Sequence, residues 1–378
     1  MADGQIASPS RKKIVSIGGG NGPYLVGDGL RDKHVEVTIL TTPADSGGDS
    51  GNIRNEMGEI LPPGDIRRGM MALMDNRYSA QLRRFFEHRL DVQDPKSQKR
   101  NVGNFIISAA IDTFGTIEGL KFVEWLCHVN GTVLPMSTDD VQMHGKLDDG
   151  TILHSESEID LRSLDDHRVL QDVWLEPSGY LCDDAAQALL GADLITLGPG
   201  DLFTSIAGNQ KVKGLDEVLA ESKAIIVAIP SLMTKWSETR GYHVHNFVGK
   251  MVEFGIGRPQ FSVTLVNNTP LPEDLLTKYE EEEKSTPMLV RNRSDMRQLK
   301  AVTQQIHHVD LLSRSALRRG LIRHDARKVA RALMDLLYAT SPLSTPKRPT
   351  LTDRKISTKE GNLLLRIDAA ESKRTPTK

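Results

Sequence analysis

This sequence contains little cysteine and has almost no net charge. Only Cys127 and Cys182 are cysteines among the 378 residues, and their wide separation provides neither a disulfide framework nor a C-x-x-C pair. This usage indicates a reducing compartment. The 48 basic and 50 acidic residues leave a formal net charge of -2, which argues against a nucleic-acid partner.

Long apolar segments are also missing. No run of about 18 apolar residues occurs, so no membrane-spanning helix is expected. The N-terminal MADGQIASPSRKK lacks the apolar centre of a signal peptide. The sequence therefore predicts a cytoplasmic protein.

Several catalytic signatures are absent as well. There is no H-E-x-x-H motif, no paired Cys/His metal spacing and no G-x-S-x-G nucleophile elbow. His307 and His308 are typical of a polar helix surface, and Trp125 is expected in the core. Because no nucleophile with a neighbouring base can be named, the sequence leaves open whether the protein is an enzyme.

Short β-branched runs alternate with segments of helical periodicity. Strands are predicted from Lys12 and at 34–42, 192–200, 223–230 and 261–269. This alternation predicts a Rossmann-like α/β fold, in which helices cover both faces of a mainly parallel sheet.

The α/β pattern predicts a single domain over residues 12–340, with one interruption. Residues 131–176 read as a small antiparallel β insert, because alternating strands flank a D-G turn. Residues 1–11 and 341–378 are polar and are expected to be disordered. The second segment is a Ser/Thr/Pro-rich tail with nine basic and four acidic residues, which gives a local charge of 9 − 4 = +5. The alternative interpretation is an arm that binds nucleic acid or is controlled by phosphorylation.

The first predicted strand ends in a glycine-rich turn. Glycines allow the backbone to approach a phosphate, and the helix that follows offers free N–H groups to an anion. The spacing is not that of a Walker loop and only loosely matches G-x-G-x-x-G, so a tight turn without a ligand is the alternative. The candidate residues are Gly18, Gly19, Gly20, Asn21 and Gly22.

A second polar cluster, T-T-P-A-D-S-G-G-D-S-G, follows the next predicted strand. Carboxylates placed there bind hydrated Mg²⁺ or accept hydrogen bonds from ribose hydroxyls, and a flexible polar loop is the alternative. The candidate ligand-binding residues are Asp45, Gly47, Gly48, Ser50, Gly51 and Arg54.

The segment LPPGDIR predicts the start of a helix. Asp65 is interpreted either as the N-cap or as a second carboxylate facing a metal. Arg67 opposes the helix dipole in the first turn, which suits an anionic ligand.

The segment LGPGDLFTSI ends another predicted strand. Hydroxyl groups and free N–H groups at a new helix start form a phosphate cradle. The candidates are Gly198, Pro199, Gly200, Thr204 and Ser205.

Taken in order, these motifs resemble one family. GGGNG, LPPGDIR, V-G-N, LGPGDLFTSI and IRHDARKVA, found between about Lys12 and Leu337, are similar to motifs of the CofD-like superfamily. This superfamily contains the bacterial gluconeogenesis factors, which bind UDP-sugars, and the 2-phospho-L-lactate transferases. The resemblance implies a nucleotide lying across the strand ends of a Rossmann-like sheet.

The resemblance also implies roles for individual residues. Gly18–Asn21 would face the phosphates, and Asn104 with Gly198–Ser205 would line the pocket. Asp45 and Asp65 match positions that hold Mg²⁺ in the transferase branch. Tyr279 and Arg323 match positions linked to UDP-sugar binding.

The sequence departs from the family pattern at several places. Ser46 replaces an aspartate, Arg100 replaces a histidine, and the segment Lys235–Arg240 replaces small or polar residues, Trp236 included. The added basic charge suits a ligand more anionic than a UDP-sugar.

Three functions are compatible with these residues. The first is a UDP-N-acetylglucosamine-binding gluconeogenesis factor that links central carbon metabolism to cell-wall precursor supply and cell shape. The second is a Mg²⁺-dependent transferase acting on a nucleoside-diphospho donor. The third, a NAD-dependent oxidoreductase, is disfavoured because Thr41 and Thr42 occupy the strand end where an acidic residue is needed. The expected partner is a nucleotide-sugar or another nucleoside diphosphate, and homo-oligomerisation is left open.

Overall fold

The computed structural model describes residues 10–47, 50, 53, 61–77, 79–90, 100–339, 356–358 and 361–363. The two segments predicted to be disordered therefore lie almost wholly outside the described residues, and so do Gly48, Gly51 and Arg54. Within the described residues, no helix has the length and apolar character needed to span a membrane.

Seven parallel strands form the main sheet, as the alternating sequence pattern predicts. Their order across the sheet is β12-β11-β10-β9-β1-β2-β5. The strands are β1 Lys12–Gly18, β2 Val35–Thr41, β5 Thr132–Pro135, β9 Leu194–Leu197, β10 Ile225–Ala228, β11 Phe261–Asn267 and β12 Thr303–Val309. Smaller sheets are formed by β3 Arg89–Leu90 with β4 Arg100–Asn101, by β6 Gln142–Leu147 with β7 Ile152–Leu153 and β8 Leu170–Glu176, and by β13 Ile356–Thr358 with β14 Gly361–Leu363.

Helices cover both faces of the main sheet. The longer ones are α1 Asn21–Leu30, α2 Pro63–Leu73, α3 Ser79–Glu87, α4 Val102–Phe114, α5 Thr116–Leu126, α7 Asp183–Leu190, α9 Leu215–Glu221, α11 Val244–Phe254, α12 Glu273–Glu283, α13 Arg293–Val302 and α15 Ala326–Leu337. The short ones are α6 Glu156–Asp160, α8 Gly208–Gln210, α10 Trp236–Thr239, α14 Arg314–Leu317 and a π-helix at Leu202–Ala207.

Alternate residues of β1 enter two separate cores. Val15 and Ile17 are buried in one apolar cluster and Ile14 in the other. A strand with both faces buried is typical of a parallel sheet between helix layers. The predicted fold class is therefore confirmed.

The strand order creates a switch point between β1 and β9. From β1 the chain first builds β2 and β5 on one side and later returns to build β9 through β12 on the other. In open α/β sheets, ligands bind at the carboxyl ends of the strands where the order reverses. Here Ile17 pairs with Leu197, so the glycine turns that follow these two residues are neighbours.

The predicted β insert is smaller than expected. The segment GTVLPM contains β5, which pairs in parallel with β2 and so belongs to the main sheet. Only β6, β7 and β8 form the antiparallel sheet, with Gly150 at φ 88° in the predicted D-G turn.

Two smaller predictions are wrong. His307 and His308 lie on β12, the edge strand of the main sheet, and not on a helix. Trp125 is 71% exposed. Leu120 and Val123 of α5 face the core, and Trp125 follows two positions later, which turns it away from that face.

Glu124 joins α5 to the sheet edge and predicts a pH dependence of stability. Its Oε1 accepts a hydrogen bond from Val133 N at 2.6 Å, and burial raises its pKa from 4.5 to about 7. Between these two values the folded state keeps a proton that the unfolded state has released. Stability should therefore fall as pH rises through this window, by up to ~1.4 kcal/mol per pH unit.

Glu124→Gln should flatten this decline. The measurement is urea unfolding at several pH values between about 4.5 and 8. Glu118→Gln, on an exposed position of the same helix, should leave the slope as it is in the parent. If the free energy of unfolding of Glu124→Gln falls with pH as steeply as that of the parent, the Glu124 carboxyl is not the cause of the decline.

Candidate functional site

The turns after β1 and β9 touch each other. Gly198 N donates to Ile17 O at 3.1 Å, and a Cβ on Gly22 would lie 1.6 Å from Pro199 O. Gly20 and Gly198 have φ of 61° and 84°, which favour glycine. The glycines therefore allow both a close approach of the two turns and their backbone conformations.

Asp65 connects the first turn to α2. The helix has Pro62 as its N-cap, so Asp65 lies inside the first turn and the N-cap interpretation is wrong. Its Oδ2 accepts from Gly20 N at 3.0 Å and its Oδ1 from Arg68 Nη1 at 2.7 Å. The Oδ2 atom therefore connects the glycine turn to α2, and the Oδ1 atom makes an i, i+3 contact within that helix.

Arg67 and Asn104 form a polar wall beside this turn. Arg67 is 8% exposed and its Nε donates to Asn104 Oδ1 at 2.9 Å. Asn101, the N-cap of α4, accepts from Asn104 N at 3.1 Å. The start of α4 thereby fixes the orientation of Asn104 toward α2.

Glu238 organises the turn after β9. It is 3% exposed, and it accepts from Phe203 N and Thr204 Oγ1, each at 2.7 Å. Burial raises the pKa of Glu238, and the nearby Lys235 opposes that rise. Glu238 therefore satisfies the open N–H end of the π-helix.

Lys235 lies among three carboxylates. Its Nζ contacts Asp160, Asp201 Oδ2 at 2.7 Å and Glu238 Oε1 at 3.5 Å. Burial alone would lower the pKa of Lys235, but the three carboxylates raise it above its ordinary value. The carboxylate atoms are close enough to hold a metal ion, but the ammonium group of Lys235 already balances their charge.

The β insert also contributes an acidic residue, Glu156, to the site. Glu156 of α6 has its pKa raised to about 8, first by burial and then by the neighbouring Asp45 carboxylate. Asp45 Oδ1 accepts from Gly47 N at 2.9 Å, and the hydroxyl groups of Ser46 and Ser157 are 3.2 Å apart. We call Asp45 and Glu156 the acidic end of the site.

Tyr279 and Arg323 lie together at the opposite end. Arg323 Nη1 donates to Tyr279 Oη at 3.1 Å, and Ile322 N donates to the same oxygen at 3.1 Å. Tyr279 lies on α12, and its side chain is buried, with 3% of its surface exposed. Two residues taken from distant parts of the sequence thus form one polar pair.

Trp236 attaches the β insert to the segment 234–239. Its Nε1 donates to Asp166 O at 3.0 Å, and the Arg240 guanidinium lies 4.5 Å from its ring centroid. Lys284 Nζ lies 4.8 Å from the same ring. Trp236 and Arg240 therefore join the insert to the segment around α10.

Two adjoining cavities cross the switch point. Their volumes are ≈ 380 Å³ and ≈ 570 Å³, and both are lined by Gly20, Asp160, Asp201 and Ser205. We call them together the switch-point cleft. The larger cavity contains Tyr279 and Arg323, and the smaller one contains the acidic end.

Most of the predicted site residues line this cleft. The lining residues among them are Gly19, Gly20, Asn21, Gly22, Asp45, Gly47, Ser50, Asp65, Arg67, Asn104, Pro199, Gly200, Thr204, Ser205, Tyr279 and Arg323. Gly18 is the last residue of β1 and Gly198 is the first residue after β9, so each lies at the start of one of the two turns. Sequence reasoning missed Glu156 and Asp160, which also line the cleft, and the supporting Glu238. Asp201 lies within the predicted range Gly198–Ser205 and lines the cleft as well.

The strand order and the cleft define a Rossmann-like, doubly wound α/β protein. The family model of 2-phospho-L-lactate transferase CofD matches residues 14–311, and the chain belongs to that family. The family resemblance inferred from the motifs is therefore confirmed.

Named relatives and a solved structure agree with this assignment. A gluconeogenesis factor of Listeria innocua is 32% identical over 336 residues, 88% of this chain and 98% of the relative. The gluconeogenesis factor of Bacillus subtilis is 32% identical over 329 residues, 86% and 98% of the two chains. A crystal structure of a UPF0052-family protein from Bacillus halodurans superposes with a TM-score of 0.76 at 28% identity, covering 86% of this chain and 100% of that one.

Proposed function

We propose that this protein binds a UDP-sugar and acts as a gluconeogenesis factor, which links central carbon metabolism to cell-wall precursor supply and cell shape. The observation that carries the proposal is the continuous switch-point cleft, with glycine turns at its centre and the Tyr279–Arg323 pair at one end. The similar proteins named gluconeogenesis factor support the same function.

The ligand would cross the cleft with its diphosphate at the centre. The first turn of α1 offers backbone N–H groups around Asn21 and Gly22, and Ser205 adds a hydroxyl from the π-helix. Lys235 supplies positive charge beside these groups, although Asp201 and its other carboxylates share that charge. Arg323 would bind an oxygen-rich group at its end of the cleft.

UDP-N-acetylglucosamine should raise Tm and should be recovered unchanged. A ligand that binds only the folded state at 100 times its Kd stabilises by about 2.7 kcal/mol. The measurements are a thermal unfolding series, isothermal calorimetry and chromatography of the recovered nucleotide. No shift at millimolar ligand would contradict the proposal.

Arg323→Ala should weaken binding by ~10-fold or more, because one charged hydrogen bond contributes about 1.5–3 kcal/mol. Arg319→Ala is the matched control, since Arg319 is exposed four positions earlier and does not line the cleft. Equal affinities for the two variants would remove Arg323 from the binding site.

A Mg²⁺-dependent transferase is the second candidate, and the acidic end favours it. Asp45 and Asp65 both line the smaller cavity, and Glu156 lies close to Asp45, so this end of the cleft carries the carboxylates that would hold a metal ion. Carboxylate oxygens are donors that Mg²⁺ prefers. When bound, Mg²⁺ would neutralise charge on a nucleoside-diphospho donor.

In that reaction an acceptor hydroxyl would attack phosphorus, and the bond to the departing nucleoside monophosphate would break. Asp45→Asn should then abolish Mg²⁺-dependent release of nucleoside monophosphate. Unaltered release in this variant would exclude the transferase assignment to Asp45.

A further inference from the structure

Two histidines and an aspartate meet outside the switch-point cleft. His243 is the N-cap residue of α11 and His245 lies in the first turn of that helix, while Asp295 lies in the first turn of α13. One potential ligand atom from each side chain lies within 4.8 Å of the other two. The packing of α11 on α13 brings the two helix starts together.

The three side chains surround a small common volume. His243 Nδ1 is 2.8 Å from Asp295 Oδ2, and His245 Nδ1 is 3.8 Å from Asp295 Oδ1. These separations bracket the ~3.3 Å expected between two ligand atoms of a tetrahedral zinc ion. Arg291 N donates to Asp295 Oδ2 at 2.9 Å and so fixes the carboxylate.

His245 is buried without a partner. Its side chain is 10% exposed, and its Nδ1 is shielded from solvent and makes no hydrogen bond within the part of the chain that the structure describes. Buried polar atoms are almost always paired, and an exception indicates a missing water or ion. Because this nitrogen lies next to Asp295, the space between the two side chains is where that partner belongs.

We propose that His243, His245 and Asp295 bind a zinc ion. Two imidazole nitrogens and one carboxylate oxygen form a donor set that suits zinc and disfavours Mg²⁺ and Ca²⁺, which prefer oxygen alone. Three protein ligands leave a fourth position for water. The ion would join α11 to α13. Because these three residues lie outside the switch-point cleft, the zinc proposal does not depend on the proposed nucleotide function.

The proposal is tested by metal content and thermal stability of the full chain. The protein, free of any histidine tag, is stripped with a chelator and dialysed against limiting zinc. We expect one zinc per chain by mass spectrometry, a rise in Tm of at least ~3 °C, and a visible absorption band typical of tetrahedral Co²⁺ after cobalt substitution. No stoichiometric zinc binding would overturn the proposal.

Matched variants locate the ion. His245→Ala and Asp295→Asn should each lose the zinc and the rise in Tm. His308→Ala, which removes an exposed histidine from β12, and Asp45→Asn, which changes the acidic end, should keep both. If Asp295→Asn fails to fold, His245→Ala decides, because the Nδ1 of His245 makes no hydrogen bond with any residue that the structure describes. Zinc bound by His245→Ala as by the parent, or lost from Asp45→Asn, would overturn the assignment.

Discussion

Gly22→Ala is expected to destabilise the protein strongly and to abolish ligand binding. A Cβ at Gly22 would lie 1.6 Å from Pro199 O and 2.8 Å from Pro199 C, so α1 and the turn after β9 would have to separate. Because the contact is with backbone, no side chain can rotate away. Overpacking of this kind costs typically about 1–3 kcal/mol, and the displaced turns would no longer face one ligand.

Gly249→Ala provides the matched control. Gly249 lies inside α11, and a Cβ there meets no atom of the described residues within 4 Å. Alanine has the higher helix propensity, so this variant should gain up to ~1 kcal/mol. The measurements are urea unfolding and calorimetric titration with UDP-N-acetylglucosamine. If the two alanine variants show equal stability, the close approach of the turns is not a constraint on the fold.

Glu238→Ala is expected to cost about 1–3 kcal/mol for each buried donor that it leaves unsatisfied, and Glu238 is the acceptor for two of them. The substitution leaves Phe203 N and Thr204 Oγ1 without their acceptor and leaves Lys235 with less compensating charge. The π-helix behind the turn after β9 should therefore loosen, and hydrogen exchange at Phe203 and Thr204 should accelerate.

The control for this variant is Glu253→Ala. Glu253 pairs with Lys250 on the exposed face of α11, and exposed ion pairs contribute at most about 1 kcal/mol. Glu238→Gln keeps the acceptor oxygen and should fall between the two alanine variants. A loss for Glu238→Ala no larger than that for Glu253→Ala would show that Glu238 does not hold the π-helix.

The parts of the site that could be predicted from sequence are those encoded locally. The glycine turns after β1 and β9 follow strands whose parallel pairing is itself predictable, so their meeting at one sheet edge could be expected. The segment LPPGDIR identifies Asp65, and its contact with Arg68 lies within α2, but its bond from Gly20 depends on how α2 packs against the turn before α1.

The features that sequence reasoning missed depend mainly on contacts between residues that are far apart in the sequence. Glu156 meets Asp45 across more than a hundred residues, and Glu156 has no local pattern that distinguishes it from a surface carboxylate. The edge strand β12 was missed because its sequence TQQIHHV is polar. The sequence places β5 in the insert because β5 directly precedes that sheet along the chain, whereas its pairing with β2 is a long-range contact that no local pattern indicates.

The antiparallel sheet and the parallel sheet contribute different parts of the cleft. Between β5 and β9 the backbone must pass from one half of the main sheet to the other, and β6, α6 and β8 are built during that passage. The rim residues Glu156 and Asp160 therefore belong to a module whose strands do not pair with the parallel core. A change in this module therefore alters one wall of the cleft while the glycine turns of the parallel sheet keep their backbone positions.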